Sequence, residues 1–207
     1  MQPENQAIDP HPAAGRRGGG DRLEVRLTEI LSDSTTPFDG GLYVSALPEE
    51  VPFVVDVPDF GVVKRRLTCP SDVTIQLAAF AHDLKTFADK TAFSESQAAA
   101  GARMAPDFFV PVGLFTPDLK AIDPPKATAW FAGRVKGSEL RTNHSTGNRF
   151  LVVQVETLMG RVDVVADPSM VEGCLVGIAQ VHGWLSARVI TPLRPTGLRR
   201  YLPWLRH

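Results

Sequence analysis

The chain has 207 residues, of which 43% are hydrophobic and 22% are charged, and its formal net charge at pH 7 is -1. This composition is ordinary for a globular protein of one large domain or two small ones. A nearly neutral chain does not attract nucleic acid by its total charge, so any basic surface has to come from local clustering.

Neither a membrane span nor a secretory signal is visible in the sequence. No apolar stretch approaches the ~20 residues that a membrane helix needs, and the first residues are polar and acidic. The two cysteines, Cys69 and Cys174, form no C-x-x-C pair and have no histidine at metal-ligand spacing. We therefore expect a cytoplasmic protein with no membrane partner, no metal and no cofactor.

The character of the chain changes near residue 22. Residues 1–21 are rich in proline, glycine and charge and almost lack bulky apolar side chains, which predicts a disordered tail. After this tail, Leu23, Val25 and Leu27 alternate with polar residues, the period-two pattern of a half-buried strand. Residues 22–93 are therefore predicted to form a β-rich N-terminal α+β region.

One long helix is predicted within that region, over residues 72–93. Its apolar residues follow the i, i+3, i+4, i+7 spacing of one helix face: Leu77, Phe80, Ala81, Leu84, Phe87 and Ala88. Pro70 and Ser71 precede it, where a helix start favours a proline and a capping oxygen. We interpret its phenylalanines as core contacts with the β segments.

Residues 94–125 read as a proline-rich linker. The density of prolines excludes a continuous helix, whereas the stretch 108–115 is too apolar for a free linker. We expect an extended segment that packs along one or both domains, and it is one candidate source of an additional barrel strand.

Residues 126–190 carry the clearest strand pattern. Four strands are predicted at Thr128–Lys136, Arg149–Thr157, Arg161–Ala166 and Leu175–Ile190, with a tight turn at Met159-Gly160 between the second and third. Period-two alternation then sorts the side chains into two faces. The inward face is predicted to hold Ala129, Phe131, Gly133, Val135, Leu151, Val153, Val155, Val162, Val164, Ala166, Ala179, Val181, Leu185 and Val189.

These residues resemble a known fold family. The resemblance is carried by Trp130-Phe131-Ala132-Gly133-Arg134-Val135, Asn143, Thr146-Gly147-Asn148-Arg149-Phe150, Val162-Asp163-Val164-Val165 and His182-Gly183-Trp184-Leu185. Together they are similar to an oligonucleotide/oligosaccharide-binding (OB) domain, in which a long bent first strand leads through a loop into a meander of two more strands. The resemblance covers about a third of the chain and implies a small antiparallel β-barrel that binds single-stranded nucleic acid, a sugar or a protein.

The resemblance leaves one strand unaccounted for, because an OB barrel has five strands and only four are predicted. The fifth is expected either from a split of residues 175–190 at Gly183, a predicted bend or bulge, or from the apolar stretch 108–115. The predicted fold class is thus α+β and mostly β: a β-rich N-terminal region with one long helix, followed by a small antiparallel OB-like barrel.

The outward face combines aromatic and cationic side chains, the mixture with which single-strand binders stack bases and follow phosphates. The polar loop at residues 138–148 and the C-terminal tail at residues 191–207, which has several arginines and no acidic residue, add candidates. The predicted nucleic-acid-binding residues are Trp130, Arg134, Lys136, Arg141, Asn143, Arg149, Phe150, Arg161, Trp184, Arg188, Arg199 and Arg200.

Each of these assignments has a structural alternative. Trp130, Phe150 and Trp184 equally fit packing beneath the proline-rich segment or the N-terminal region. The loop equally fits a plain solvated hairpin, and Glu156 and Asp163 on the same face repel phosphates.

No phosphate-binding, dinucleotide, nucleophile-elbow or zincin motif is present, and no histidine has a partner at base or ligand spacing. We therefore expect a non-enzymatic protein that binds single-stranded DNA or RNA modestly. The alternative is an assembly module that contacts a protein partner or a second copy through residues 108–115 and the C-terminal tail. A third hypothesis is an enzyme with dispersed catalytic residues.

Overall fold

The computed structural model describes residues 22–32, 38–48, 50–115, 124–171 and 175–190. Within them lie nine strands: β1 (Arg22–Ser32), β2 (Gly40–Ala46), β3 (Val51–Asp56), β4 (Ser71–Phe87), β5 (Phe109–Val110), β6 (Thr128–Thr142), β7 (Arg149–Thr157), β8 (Gly160–Ala166) and β9 (Ile178–Val189). The helices are α1 (Phe60–Val63), α2 (Lys90–Ala99) and the 3₁₀ turns Lys64–Arg66, Val112–Leu114 and Pro168–Met170. No helix among the described residues is long and apolar enough to cross a membrane.

The strands form one mostly antiparallel sheet in the order β1-β2-β3-β9-β4-β8-β7-β6-β5, and the extra pairings β1–β4 and β9–β6 bend it into two rings. In the first ring, the meander β1-β2-β3 is joined to β9 by one parallel bridge. β9 then pairs with β4, and β4 pairs with β1 to close the ring. The second ring joins the meander β6-β7-β8 to β4 by a short parallel ladder and returns through β9. The two rings share β4 and β9.

The two halves of the chain repeat the same order of elements. Three strands and a short helical turn lead to a long last strand, first as β1-β2-β3-α1-β4 and then as β6-β7-β8-3₁₀ turn-β9. Each last strand pairs with the first strand of its own half, and it also fills the fifth position in the ring of the other half. The halves therefore share their last strands, and neither ring closes from one half alone.

The interior follows the predicted alternation. The inward residues predicted on β7 and β8 are all buried in one hydrophobic cluster with residues of the N-terminal half: Leu151, Val153, Val155, Val162, Val164 and Ala166. On the shared strands, the side chains of Ile75, Leu77, Val181 and Leu185 are almost completely buried in the same cluster. The prediction of a mostly β chain is confirmed, and the ring-like sheet is compatible with a barrel.

The prediction of one long helix over residues 72–93 is wrong. Most of that range is β4, which contains the β-branched run Val73-Thr74-Ile75, and strands favour such residues. A helix begins only at Lys90, where the Asp89 side chain caps it by accepting a hydrogen bond from the Ala92 amide.

A bulge in β4 explains why the pattern suggested a helix. The register shifts between Ala81 and Asp83, opposite Gly183 and His182. Because a bulge adds one residue, the inward-facing positions change phase after Ala81, and Leu84 becomes buried. A strand whose phase changes in this way places apolar residues at intervals that also match helical turns.

Neither expected source supplies the fifth strand of the second ring. Residues 178–189 form one continuous strand, in which Gly183 lies opposite the bulge rather than in it. A Cβ atom at Gly183 would lie 2.5 Å from the carbonyl oxygen of Phe80, so this close approach of two backbones requires glycine. The stretch 108–115 contributes only the two-residue strand β5 at the edge of β6. The fifth strand is β4.

Within the predicted linker at residues 94–125, residues 94–99 belong to the helix α2, and two phenylalanines of the stretch 108–115 pack against the sheet. Phe108 and Phe109 are buried, and Phe108 joins Phe93 of α2 in a small cluster on the outer side of β6 and β9. Phe115, by contrast, is 68% exposed. The tails at residues 1–21 and 191–207 lie outside the described residues, and the proposed domain division stays a prediction.

The shared strand β4 gives a fragment test. A fragment of residues 124–190 lacks β4, so its ring cannot close and we expect no folded monomer. A fragment of residues 71–190 restores β4 and is expected to show more β structure by circular dichroism and better amide dispersion by NMR. The complete chain is the reference, and a well-dispersed monomeric spectrum from residues 124–190 would contradict the requirement for the shared strand β4.

Candidate functional site

A cleft of about 480 Å³ opens on the outer face of the second ring. It lies between the β6–β7 loop, the end of β8, the 3₁₀ turn Pro168–Met170 and the middle of β4. Its lining combines apolar walls with polar groups: Phe80, Ala81, Asn143, Thr146, Asn148, Arg149, Phe150, Val165, Ala166, Asp167 and Met170. Three of these, Asn143, Arg149 and Phe150, are predicted binding residues.

Hydrogen bonds within the β6–β7 loop hold its shape. The Asn143 side-chain oxygen accepts from the amides of Ser145 at 2.9 Å and Thr146 at 3.3 Å, which forms an Asx turn. Gly147 has a φ of +74°, a left-handed conformation that favours glycine, and its amide donates to the Asn143 carbonyl. The loop is thus preorganised, and Arg149 follows it at the start of β7.

Asp167, the residue that follows β8, contributes a carboxylate to the lining of the cleft. Its Oδ1 accepts hydrogen bonds from the Ser169 hydroxyl at 2.6 Å and the Ser169 amide at 2.8 Å. The hydroxyl bond first, and the amide bond second, hold the pKa of Asp167 below its usual value. The cleft therefore has a carboxylate on one side, and among its lining residues Arg149 supplies the positive charge.

Aromatic side chains line the cleft and continue beyond it. Phe80 and Phe150 are half-buried walls of the cleft. Phe80 pairs across the sheet with Trp184 of β9, and their ring centroids lie 5.1 Å apart with planes tilted by 35°. The outer surface therefore carries Phe150, then the cleft, then the Phe80–Trp184 pair.

A hydrogen bond to an acceptor in the other half of the chain fixes Trp184. Its indole N–H donates to Oδ2 of Asp56, the last residue of β3. Asp56 is bridged to Ser186 in the single parallel contact that closes the first ring. Burial raises the pKa of the Asp56 carboxyl, and the bond from Trp184 opposes this effect only in part.

The other predicted residues do not converge on the cleft. Trp130 packs edge-on against Phe108, with ring centroids 4.9 Å apart, so it lies beneath the proline-rich segment. Lys136 contacts Glu156 at 2.6 Å, and Arg141 contacts Glu139 at 2.6 Å.

The remaining predicted arginines divide into three groups. Arg134 borders a second, charged depression with Lys90 and Glu156, and Arg161 pairs across the strands with Glu156. Arg188 lies opposite Gln76 at the far end of β9. Arg199 and Arg200 lie outside the described residues.

Sequence reasoning missed Phe80, Asp56 and Asp167 as parts of the site. Phe80 was interpreted as a core residue of a helix, which hid its outward position on a strand. The Asp167-Pro168-Ser169 sequence was a usable signal, since Asp before Pro at a turn favours a cap whose carboxylate faces outward. Asp56 gave no local signal, because its partner lies in the other half of the chain.

These features define a class of mostly β protein: a ring-like sheet with an aromatic-walled cleft on its outer face. Among the described residues, no group of three or more His, Cys, Asp or Glu side chains is placed to hold a metal ion. Comparison with protein-family models, curated proteins and solved structures finds no significant match.

Two substitutions at Asp56 separate its roles as acceptor and as charge. Asp56→Ala leaves the Trp184 indole N–H without an acceptor in a half-buried site and should lower the free energy of unfolding by about 1–3 kcal/mol. Asp56→Asn keeps an oxygen acceptor and removes a desolvated charge, so at pH 7 it should match or exceed the wild type. Chemical denaturation followed by circular dichroism measures both.

The same pair of proteins gives a pH dependence of definite sign. Because the folded-state pKa of Asp56 is raised, the folded protein holds this proton more tightly than the unfolded chain does. The resulting stability is present below the unfolded-state pKa of ~3.9 and is lost as the pH rises through the raised value. The wild type should therefore lose more stability than Asp56→Asn over this range, and parallel curves would contradict the assignment.

Proposed function

We propose that this protein is a non-enzymatic binder of single-stranded DNA or RNA, and that its second ring is an OB-like barrel whose outer face is the binding surface. The observation that carries the proposal is the alignment of Phe150, the cleft and the Phe80–Trp184 pair on one outer face. Bases of a single strand stack on such side chains, and each stacked base contributes about 1–3 kcal/mol.

The order of strands supports the OB assignment. In the second ring, β6, β7 and β8 form an antiparallel meander, and a helical turn follows. The ring is closed by β9, which comes next in the chain, and by β4 of the N-terminal half. OB folds bind oligonucleotides on the face of their second and third strands, next to the loop that joins the first and second. The positions of β7, β8 and the loop at residues 143–148 correspond to these elements, and all three border the cleft.

The distribution of charge supports modest rather than tight affinity. Lys136 and Arg141 each face a carboxylate, so much of their positive field is offset locally. Arg149 is exposed at the cleft and is positioned for a phosphate, whereas Asp167 repels one. The arginines of residues 191–207, including Arg199 and Arg200, complete the proposed phosphate contacts.

A second candidate function is an assembly module with no nucleic-acid ligand. One observation favours it: Phe115, at the end of the 108–115 stretch, is 68% exposed although its neighbours Phe108 and Phe109 are buried. An exposed phenylalanine beside a packed apolar segment fits contact with a protein or a second copy. Light scattering distinguishes the two, since self-association that Phe115→Ala abolishes favours this candidate.

Fluorescence anisotropy with labelled single-stranded oligonucleotides at low and moderate salt tests the proposed function. Phe150→Ala should weaken binding by about five- to a hundredfold, because one stacking platform is lost. Arg149→Gln should weaken binding and reduce the slope of log K against log salt by about one, since one phosphate contact is removed.

The matched control is Phe115→Ala, which removes an exposed aromatic ring that is not part of the cleft lining and should leave the affinity unchanged. Thermal melts of every variant establish that the fold is retained. Absence of salt-sensitive binding by the wild type, or equal losses from Phe115→Ala and Phe150→Ala, would refute the proposed surface.

A further inference from the structure

The cleft retains hydrogen-bonding groups that the fold itself does not use. The side-chain oxygen of Asn143 accepts hydrogen bonds from the loop amides of Ser145 and Thr146. Oδ1 of Asp167 accepts hydrogen bonds from the amide and hydroxyl of Ser169, and among the described residues nothing donates to its Oδ2. An ionised carboxylate only accepts hydrogen bonds. Oδ2 of Asp167 is therefore available to accept a hydrogen bond from a donor group of a ligand.

We propose that the cleft takes one unstacked base of the bound strand and selects bases that carry an exocyclic amino group, through a hydrogen bond from that group to Oδ2 of Asp167. This inference rests on the proposed function. It adds a base preference to a surface that would otherwise bind every single strand alike.

The shape of the cleft suits a single base. Phe80 and Phe150 provide aromatic faces for stacking, and Val165, Ala166 and Met170 complete the apolar wall. The cleft volume of about 480 Å³ leaves room for the sugar and phosphate attached to that base. Arg149, which lines the same cleft, takes the phosphate, and the edge of the base meets Asp167, the residue that follows β8.

The donor requirement separates cytosine from uracil at position 4 of the ring. Cytosine presents an amino group at position 4, and carboxylates accept from that group when proteins read it. Uracil presents a carbonyl oxygen at the same place, so it offers no donor there and repels the carboxylate. The two hydrogen bonds from Ser169 keep the Asp167 pKa low, and the acceptor therefore stays charged near neutral pH.

The test compares two oligonucleotides of about twelve nucleotides, a length within the range of OB site sizes. One is oligodeoxycytidine and the other is oligodeoxyuridine, so the bases differ in the group at position 4 and in the protonation of N3. Anisotropy titrations at low salt use the wild-type chain, Asp167→Asn and Asp83→Asn. Asp83 is an exposed carboxylate of β4 outside the cleft lining, so its variant makes the same change of charge elsewhere.

We expect the wild type and Asp83→Asn to bind oligodeoxycytidine roughly three- to tenfold more tightly than oligodeoxyuridine, as fits one charge-assisted hydrogen bond at an exposed rim. Asp167→Asn keeps an oxygen for the Ser169 amide but presents an NH₂ group to the base. Its preference should therefore vanish or reverse towards oligodeoxyuridine. Asp167→Ser, which also keeps a capping oxygen, should lose the preference without reversing it.

The outcomes separate this inference from the proposed function. Salt-sensitive binding of both oligonucleotides with equal affinity overturns the base preference and leaves single-strand binding in place. A preference that survives in folded Asp167→Asn and Asp167→Ser also overturns it. Failure of the wild type to bind either oligonucleotide at low salt overturns both proposals.

Discussion

The antiparallel ladder between β4 and β9 is the interaction on which the rest of the structure depends. It runs from the Ile75–Val189 pair to the Phe87–Ile178 pair, and both rings close through it. β1 and β8 share the free edge of β4, and β3 and β6 share the free edge of β9. Because long-range pairing has to offset the loop-closure entropy of the intervening chain, this ladder ties the formation of each half to that of the other.

The same ladder explains where the site lies. Its inner face supplies core residues such as Leu77 and Leu185, and its outer face places Phe80 next to Trp184. The bond from Trp184 to Asp56 then connects the aromatic surface of the second ring to the closing strand of the first. A half-buried carboxylate is costly unless a donor pairs with it, so this bond also constrains how the two halves meet.

Local electrostatics is more informative about the surface than the net charge of -1. Cations on the outer face of β6 are matched by Glu139 and Glu156, and such exposed pairs contribute little to stability. These pairs offset part of the positive charge of Lys136 and Arg141. Under the proposed function, a strand of nucleic acid is held mainly by stacking, with fewer phosphate contacts than a strongly basic groove provides.

The sequence predicts the strands of residues 126–190, their inward faces, a loop before Arg149 and the outward placement of Phe150 and Trp184. These follow from period-two alternation and turn residues, which are local properties of the chain. Some bounds differ: β6 continues to Thr142, inside the predicted loop 138–148, and β9 begins at Ile178 rather than Leu175. Tertiary contacts were needed to establish that β4 is a strand, that it closes the second ring, that Phe80 lines the cleft and that Phe108 covers Trp130. A bulge changes which residues of a strand face inward, and strands far apart in sequence compete to pair with the same edge. Neither effect can be predicted from a local sequence pattern.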